Sequence, residues 1–336
     1  MKQKILVTGG AGYIGSVLTT ELLGKGYKVV ILDRFIFGGE SLLGDINNPD
    51  LTIIEGDIRD KKVLKSLPQV DSAINLAALV GEPACVKDPK VTKSINQDGA
   101  IHLAAYLKKR GIERFIMAST CSNYGLSKGT VEATEESNLH PLSLYATTKI
   151  AAEKGILALE SKTFHPIVVR LATIFGLSPN MRFNLLVNGF AKDTALGGDI
   201  SVVNKDAWRP FLHVQDAARA FITILEADMG KISGEIFNVV GQNIQKGKLA
   251  QMAKRKNPKV SLTLIAGKLD DGRDYKVSAK KILNKLGFKP QIMVEQGFNE
   301  VMNAVKKGVF LDLSDFHYNA WYDDKVFEDS YAKNLL

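Results

Sequence analysis

Tyr145 and Lys149, four residues apart in "PLSLYATTK" (141–149), are the pair in this chain best placed to move a proton. The segment reads as the opening of a helix, so the two side chains share one face. An ammonium beside a phenol stabilises the phenolate and lowers the tyrosine pKa from about 10 toward working pH. Such a tyrosine can take the proton of a hydroxyl while a redox cofactor takes the hydride from the same carbon. Y-x-x-x-K also arises by chance on many helices. A second stretch, "STCSNYG" (119–125), adds weight because it closes a strand pattern. Open parallel sheets receive their ligands at the carboxyl ends of strands.

Strand patterns run through "KILVTG" (4–9), "KVVILD" (28–33), "LTIIEGD" (51–57), "DSAINLAA" (71–78), "RFIMAST" (114–120) and "HPIVVRLA" (165–172). Helix-period segments lie at 13–25, 89–110 and 143–160. Strands that are apolar throughout are buried on both faces, and repeated βα units predict a doubly wound parallel sheet with right-handed crossovers. The fold class is therefore α/β, with a Rossmann domain over 1–176. After about residue 176 the rhythm breaks into loops, and helical patterns return at 246–256, 278–286 and 294–307. The expectation is a smaller C-terminal substrate-binding lobe, 177–336, from which about 208–241 returns to the first domain.

Between the first strand and the first helix stands "TGGAGYIGS". Gly9, Gly12 and Gly15 form G-x-x-G-x-x-G, a variant of the dinucleotide fingerprint, with Tyr13 and Ile14 on the same turn. The glycines permit the tight turn and let backbone approach a pyrophosphate at the helix N-terminus. Asp33 ends the second strand, 18 positions after Gly15. A carboxylate there accepts both ribose hydroxyls and repels a 2′-phosphate, which favours NAD over NADP. Arg34, its neighbour, could accommodate that phosphate. Asp57 and Ile58, after the third strand, are placed to edge the adenine pocket, although Asp57 alone reads equally as a loop residue.

Lys and Arg exceed Asp and Glu by 44 − 36 = 8, spread along the chain. No nucleic-acid module accompanies the charge, so it reads as a solvated surface, part of which draws an anionic substrate into a cleft. Cys85 and Cys121 are too few for a disulfide framework and suit a reducing cytoplasm. The five histidines form no ligand-spaced pair, so no metal site is expected. "MKQKILVTGG" goes straight into a strand, and no run of about 18 apolar residues follows, so neither a signal peptide nor a membrane span is expected.

Together, "TGGAGYIG", Asp33, "GDIRD", "STCSNYG" and "YATTK" resemble the extended short-chain dehydrogenase/reductase superfamily, and in particular its nucleotide-sugar epimerase/dehydratase branch. The resemblance runs to about residue 290 and includes "WRPFLHVQDAA" (208–218) and "FNVVG" (237–241). It implies that Thr120 hydrogen-bonds the oxygen at the reacting carbon, Tyr145 is the general base and acid, and Lys149 bonds the nicotinamide ribose. It also implies that Asn96, in "SINQDGA", buttresses the site through its helix, and that Ala77 and Ala78 line NAD where the fourth strand ends. Apolar stripes on 89–110 and 143–160 imply a homodimer.

Departures from the branch bear on the reaction. Its dehydratases carry Asp-Glu, or a Glu, after the catalytic Thr. Here those places hold Cys121 and Ser122, neither a carboxylic acid, so dehydration is disfavoured and Cys121 is expected as a packed thiol near the substrate. Thr173, in "RLATIFG", replaces an asparagine that contacts sugar or phosphate. Arg182, Arg209 and Arg273 are the candidate partners of a diphosphate, the last two by resemblance. His213 and Asp216 read as internal hydrogen-bonding structure. The leading expectation is an NAD-dependent nucleotide-sugar epimerase acting at C4 through a transient 4-keto intermediate. An NAD(P)H-dependent reductase of a nucleotide-linked 4-keto-deoxysugar would use the same three catalytic residues. A non-catalytic dinucleotide sensor would generally lose Y-x-x-x-K, which this chain keeps.

Overall fold

The computed structural model describes residues 2–126, 131–265, 272–310, 312–314 and 316–319. Seven parallel strands form the main sheet: β1 (Lys4–Thr8), β2 (Lys28–Asp33), β3 (Leu51–Glu55), β4 (Ser72–Asn75), β5 (Arg114–Thr120), β6 (His165–Leu171) and β7 (Ile236–Val239). Their order is β7-β6-β5-β4-β1-β2-β3. The winding reverses between β4 and β1, and the crevice at their carboxyl ends is where such a sheet receives a ligand.

The apolar runs are buried on both faces, as strands of a covered parallel sheet must be. On one face Ile5, Val7, Ile31, Ile74, Ile116 and Ile167 share a core with helices α1 (Tyr13–Gly24) and, later in the chain, Val214–Glu226. On the other, Leu6, Val30, Ala73, Phe115 and Met117 meet α2 (Ala100–Lys109) and α3 (Leu144–Leu157). The helix expected over 89–110 runs without a break from Pro89 to Lys109, but not with one hydrogen-bond pattern. It runs as Pro89–Lys93, a π-helical segment Ser94–Gly99, and then α2. Gly99 within it makes room for Arg59, whose Cγ would lie 2.8 Å from a Cβ at that position.

In the C-terminal half, Trp208–His213 is the central strand of a small sheet, parallel to Thr173–Phe175 and antiparallel to Gln242–Gln245. Asp199–Val203 pairs with Ser261–Ile265, and Glu132–Ala133 with Lys276–Val277. The segment 208–241 is thus divided: its first strand joins the small sheet, while Val214–Glu226 packs on α1 and β7 joins the main sheet. Tyr318 packs on Phe183 and Phe310, at ring separations of 6.2 and 5.4 Å, so this part of the aromatic tail covers the lobe. Residues 320–322 of that tail lie outside the described residues. Among the described residues no helix is long and apolar enough to cross a membrane.

Candidate active site

Gly9 adopts φ +73°, and a Cβ on it would sit 2.9 Å from the Ala77 amide nitrogen. Only glycine lets the end of β1 come this close to the end of β4. A Cβ on Gly15 would run into the Gly9 carbonyl, which fixes how near α1 starts to the turn. Gly12 takes the N-cap position of α1 with no side-chain cap, and the first turn holds no acidic residue. The first-turn N–H groups and the positive end of the helix dipole are therefore left to an anion. At the neighbouring strand end the Asp33 carboxylate accepts hydrogen bonds from the Ala11 amide at 3.0 Å and the Phe35 amide at 2.9 Å. Burial raises its pKa above the usual carboxylate value, against those bonds. The lobe braces the turn from the far side, where Ser178 Oγ donates to the Tyr13 carbonyl and Asn180 Nδ2 to the Ala11 carbonyl. An uncapped helix end beside a strand-end carboxylate suits a dinucleotide. Gly9, Gly12, Ile14, Gly15, Asp33, Ala77 and Ala78 would hold it.

Several residues expected at the cofactor serve other ends. The buried Tyr13 ring points into the lobe, where its Oη donates to the Gly176 carbonyl at 2.6 Å and accepts from Asn188 Nδ2 at 2.9 Å. Only its backbone stays on the glycine turn. The Asp57 carboxylate is engaged by the fully buried Arg59, at 2.9 Å from Nε and 2.8 Å from Nη2, and by Arg34 Nε at 3.5 Å. Ile58 packs into the core. Asp57 is thus held between two arginines, and Ile58 keeps its side chain in the core. Asn96 is fully buried and clasps Leu79, accepting from its N–H and donating to its C=O at 2.8 Å each. It fixes the segment after β4 as a neighbouring strand would, and is a positioning residue.

Thr120 ends β5. Its Oγ1 accepts from the Ser122 amide at 3.0 Å, capping the 3₁₀ turn Cys121–Tyr124, which leaves its own O–H to be donated. Ser143 caps α3 through the Ala146 amide at 3.1 Å, so Tyr145 and Lys149 lie on the first two turns. Tyr145 is half-buried, whereas Lys149 is only 2% exposed. Burial lowers the Lys149 pKa to about 8, with Glu153 and Cys85 opposing the shift. Glu153 belongs to no motif, and its one signal in the sequence is its position four residues beyond Lys149.

On the substrate side, Arg273 Nη1 donates to Ser122 Oγ at 2.9 Å, and Arg209 Nη1 donates to the carbonyls of Arg273 and Trp208. Ser122, Arg209 and Arg273 therefore converge beside Thr120. Cys121 does not join them. Its thiol is buried, donates to the Arg170 carbonyl at 3.2 Å, and is pushed up in pKa by desolvation, so it is no substrate contact. Thr173 is half-buried beside Phe211 on the small sheet. Arg182 donates to Asn184 Oδ1 at 3.3 Å and is not brought into the arginine cluster. His213 pairs with Glu300 at 2.9 Å, while Asp216 accepts from the amides of Gln291 and Ile292. Both serve internal structure.

Residues 5–240 match the model of the NAD dependent epimerase/dehydratase family. The chain belongs to this family. The dinucleotide its glycine turn suits is accordingly NAD. A UDP-glucose 4-epimerase of Neisseria meningitidis serogroup C is 27% identical over 264 residues, covering 70% of this chain and 77% of the relative. Among solved structures, Pal from Bacillus thuringiensis aligns with a TM-score of 0.83 at 25% identity, over 90% of this chain and 99% of that one. A UDP-glucose 4-epimerase with UDP-glucose from Thermotoga maritima shares the fold, with a TM-score of 0.81 at 24% identity, over 91% and 100% of the two chains.

Proposed function

We propose that this protein is an NAD-dependent nucleotide-sugar epimerase working at the sugar C4. The observation that carries the reading is the combination at the end of β5: a Thr120 hydroxyl with its proton to donate, the helix of Tyr145 and Lys149 packed against β5 and the turn that follows it, and no carboxylic acid at Cys121 or Ser122. Bound NAD supplies a hydride acceptor that can return the hydride to the same carbon. Tyr145 takes the proton of the C4 hydroxyl while Thr120 donates to its oxygen. Lys149 stabilises the phenolate and orients the nicotinamide ribose. Arg209 and Arg273 hold the diphosphate, so the keto sugar can turn while its nucleotide stays anchored. With the hydride returned to the opposite face of C4 after the turn, Tyr145 gives the proton back to the C4 oxygen.

The named relatives support UDP-glucose and its 4-epimer as the first pair to assay. The two buried free thiols, Cys85 and Cys121, agree with a cytoplasmic setting. Half-buried apolar residues on α3, such as Ile150 and Leu157, support a homodimer. The test is incubation with UDP-sugars and no added nicotinamide. Interconversion is expected, and Tyr145→Phe should lower kcat by about 10³- to 10⁴-fold with NAD still bound. Net consumption of added NADH by a keto sugar, without interconversion, would replace the epimerase by a reductase. Unchanged turnover in the variant would reject the mechanism.

A further inference from the structure

Tyr145, Lys149 and Glu153 lie at i, i+4 and i+8 of α3, in one stripe. Lys149 and Glu153 are each 2% exposed. A lysine and a glutamate so placed and cut off from water would ordinarily meet as an ion pair. They do not, because the carboxylate is already occupied. Glu153 Oε1 accepts from Ser119 Oγ, from Asn123 Nδ2 at 2.8 Å and from Arg170 Nε at 3.1 Å, and Oε2 accepts from Arg170 Nη2 at 2.7 Å. Arg170 is fixed in turn. Its Nη1 donates to Tyr124 Oη at 2.9 Å, and that hydroxyl donates to Asn238 Oδ1 at 2.7 Å.

We propose that Glu153 and Arg170 are positioning residues for the reaction: the carboxylate keeps Lys149 charged, and the arginine stops that carboxylate from capturing the ammonium. The inference rests on Tyr145 and Lys149 being the catalytic pair. The ionisable groups facing Lys149 are Tyr145 and Glu153 on its own helix and Cys85 on the short helix Glu82–Lys87. Burial and nearby Glu82 push the Cys85 thiol up to about 11, so at neutral pH it carries no charge. Glu153 is left as the anion that offsets the burial of Lys149. Around the Glu153–Arg170 pair stand Tyr124, Cys121 and Glu135, of which Tyr124 and Cys121 are held neutral by burial. Glu135 is tied to the Asn238 amide at 2.7 Å, and burial raises its pKa as well. Arg170 thus blocks contact between Glu153 and Lys149 while the field of the carboxylate still acts over one helical turn.

The test follows the Lys149 side chain by NMR in lysine-labelled, NAD-loaded protein, assigned with Lys149→Arg, alongside the pH profile of kcat. Glu153→Gln should move the Lys149 midpoint down by about one to two units. The alkaline limb of kcat should move with it, while KM stays within about twofold. Since this variant strands a buried guanidinium, Glu153→Gln/Arg170→Met serves as a second arm with no unpaired charge, and a smaller downward shift is expected. Arg170→Met alone should raise the midpoint and lower kcat at constant KM. A Lys149 midpoint unmoved in both Glu153 variants, or a kcat lowered by one factor at every pH, would overturn the proposal. Should the protein interconvert no nucleotide sugar, the titration still decides the charge coupling, so the two readings fail separately.

Discussion

The two ends of the crevice are built from different material. At the cofactor end the parts are mostly backbone and close in sequence: the turn from Gly9 to Gly15, with one side chain, the Asp33 carboxylate, on the Ala11 amide. At the substrate end they are side chains from distant segments, with Arg273 reaching Ser122 across 151 positions. A backbone site resists substitution because an added Cβ has nowhere to go. A side-chain site can be altered one residue at a time without disturbing the sheet. The fold therefore commits the chain to a dinucleotide while leaving the sugar nucleotide adjustable. Lys149 stands between the two ends as a buried charge that neither end neutralises by contact.

That difference is sharpened first by removing this charge. Lys149 titrates near 8 when folded, against 10.5 ordinarily. Between those values the unfolded chain holds a proton that the folded chain has lost, so native stability rises with pH across that window. Below about pH 8 the penalty is present in full. Lys149→Met should abolish turnover yet stabilise the fold, on the order of 3 kcal/mol at pH 7, raising Tm by a few degrees. The gain should shrink as pH climbs from 8 toward 10.5, which thermal melts of both proteins would follow. A lower Tm, or a difference indifferent to pH, would show that Glu153 offsets the burial of the ammonium in full.

Arg273→Leu probes the substrate end alone. Losing one charge-assisted contact to a diphosphate is worth about 2 kcal/mol, so kcat/KM should fall about 30-fold through KM. NAD affinity should be unchanged, because Arg273 takes no part in the glycine turn. If NAD binding weakened with KM, the two ends would be coupled and the contrast between them wrong.

The same contrast decides what could be read in advance. Apolar runs, the glycine triplet and the Tyr145–Lys149 face are local patterns, and local hydrogen bonding and periodicity suffice to read them. The direction in which a turn residue points is not local. Tyr13 belongs to the glycine turn by sequence, yet its ring turns to Asn188, 175 positions later. Cys121 lies between two substrate-side residues, and one turn of 3₁₀ helix rotates its thiol into the core. The π segment around Asn96 leaves no mark in composition, since it shifts the hydrogen-bond pattern and not the residue types. The Glu153–Arg170 pair joins a helix to a strand, and only packing brings its members together.

Asp33→Asn asks how firmly the cofactor end holds its preference. The amide can still accept one of the bonds from the Ala11 and Phe35 backbones, so the turn should persist, but the charge that repels a 2′-phosphate is gone. Discrimination for NAD over NADP should weaken by about tenfold, equivalent to roughly 1.4 kcal/mol, in binding titrations of the two dinucleotides. It should not invert. The arginine able to welcome that phosphate, Arg34, is drawn toward Asp57 at 3.5 Å, and Asp57 is itself locked by the buried Arg59. Inversion should require Asp33→Asn together with Asp57→Asn, which releases Arg34 toward the ribose. A single Asp33→Asn variant that already prefers NADP would mean that Asp57 does not restrain Arg34, and that the cofactor end is as adjustable as the substrate end.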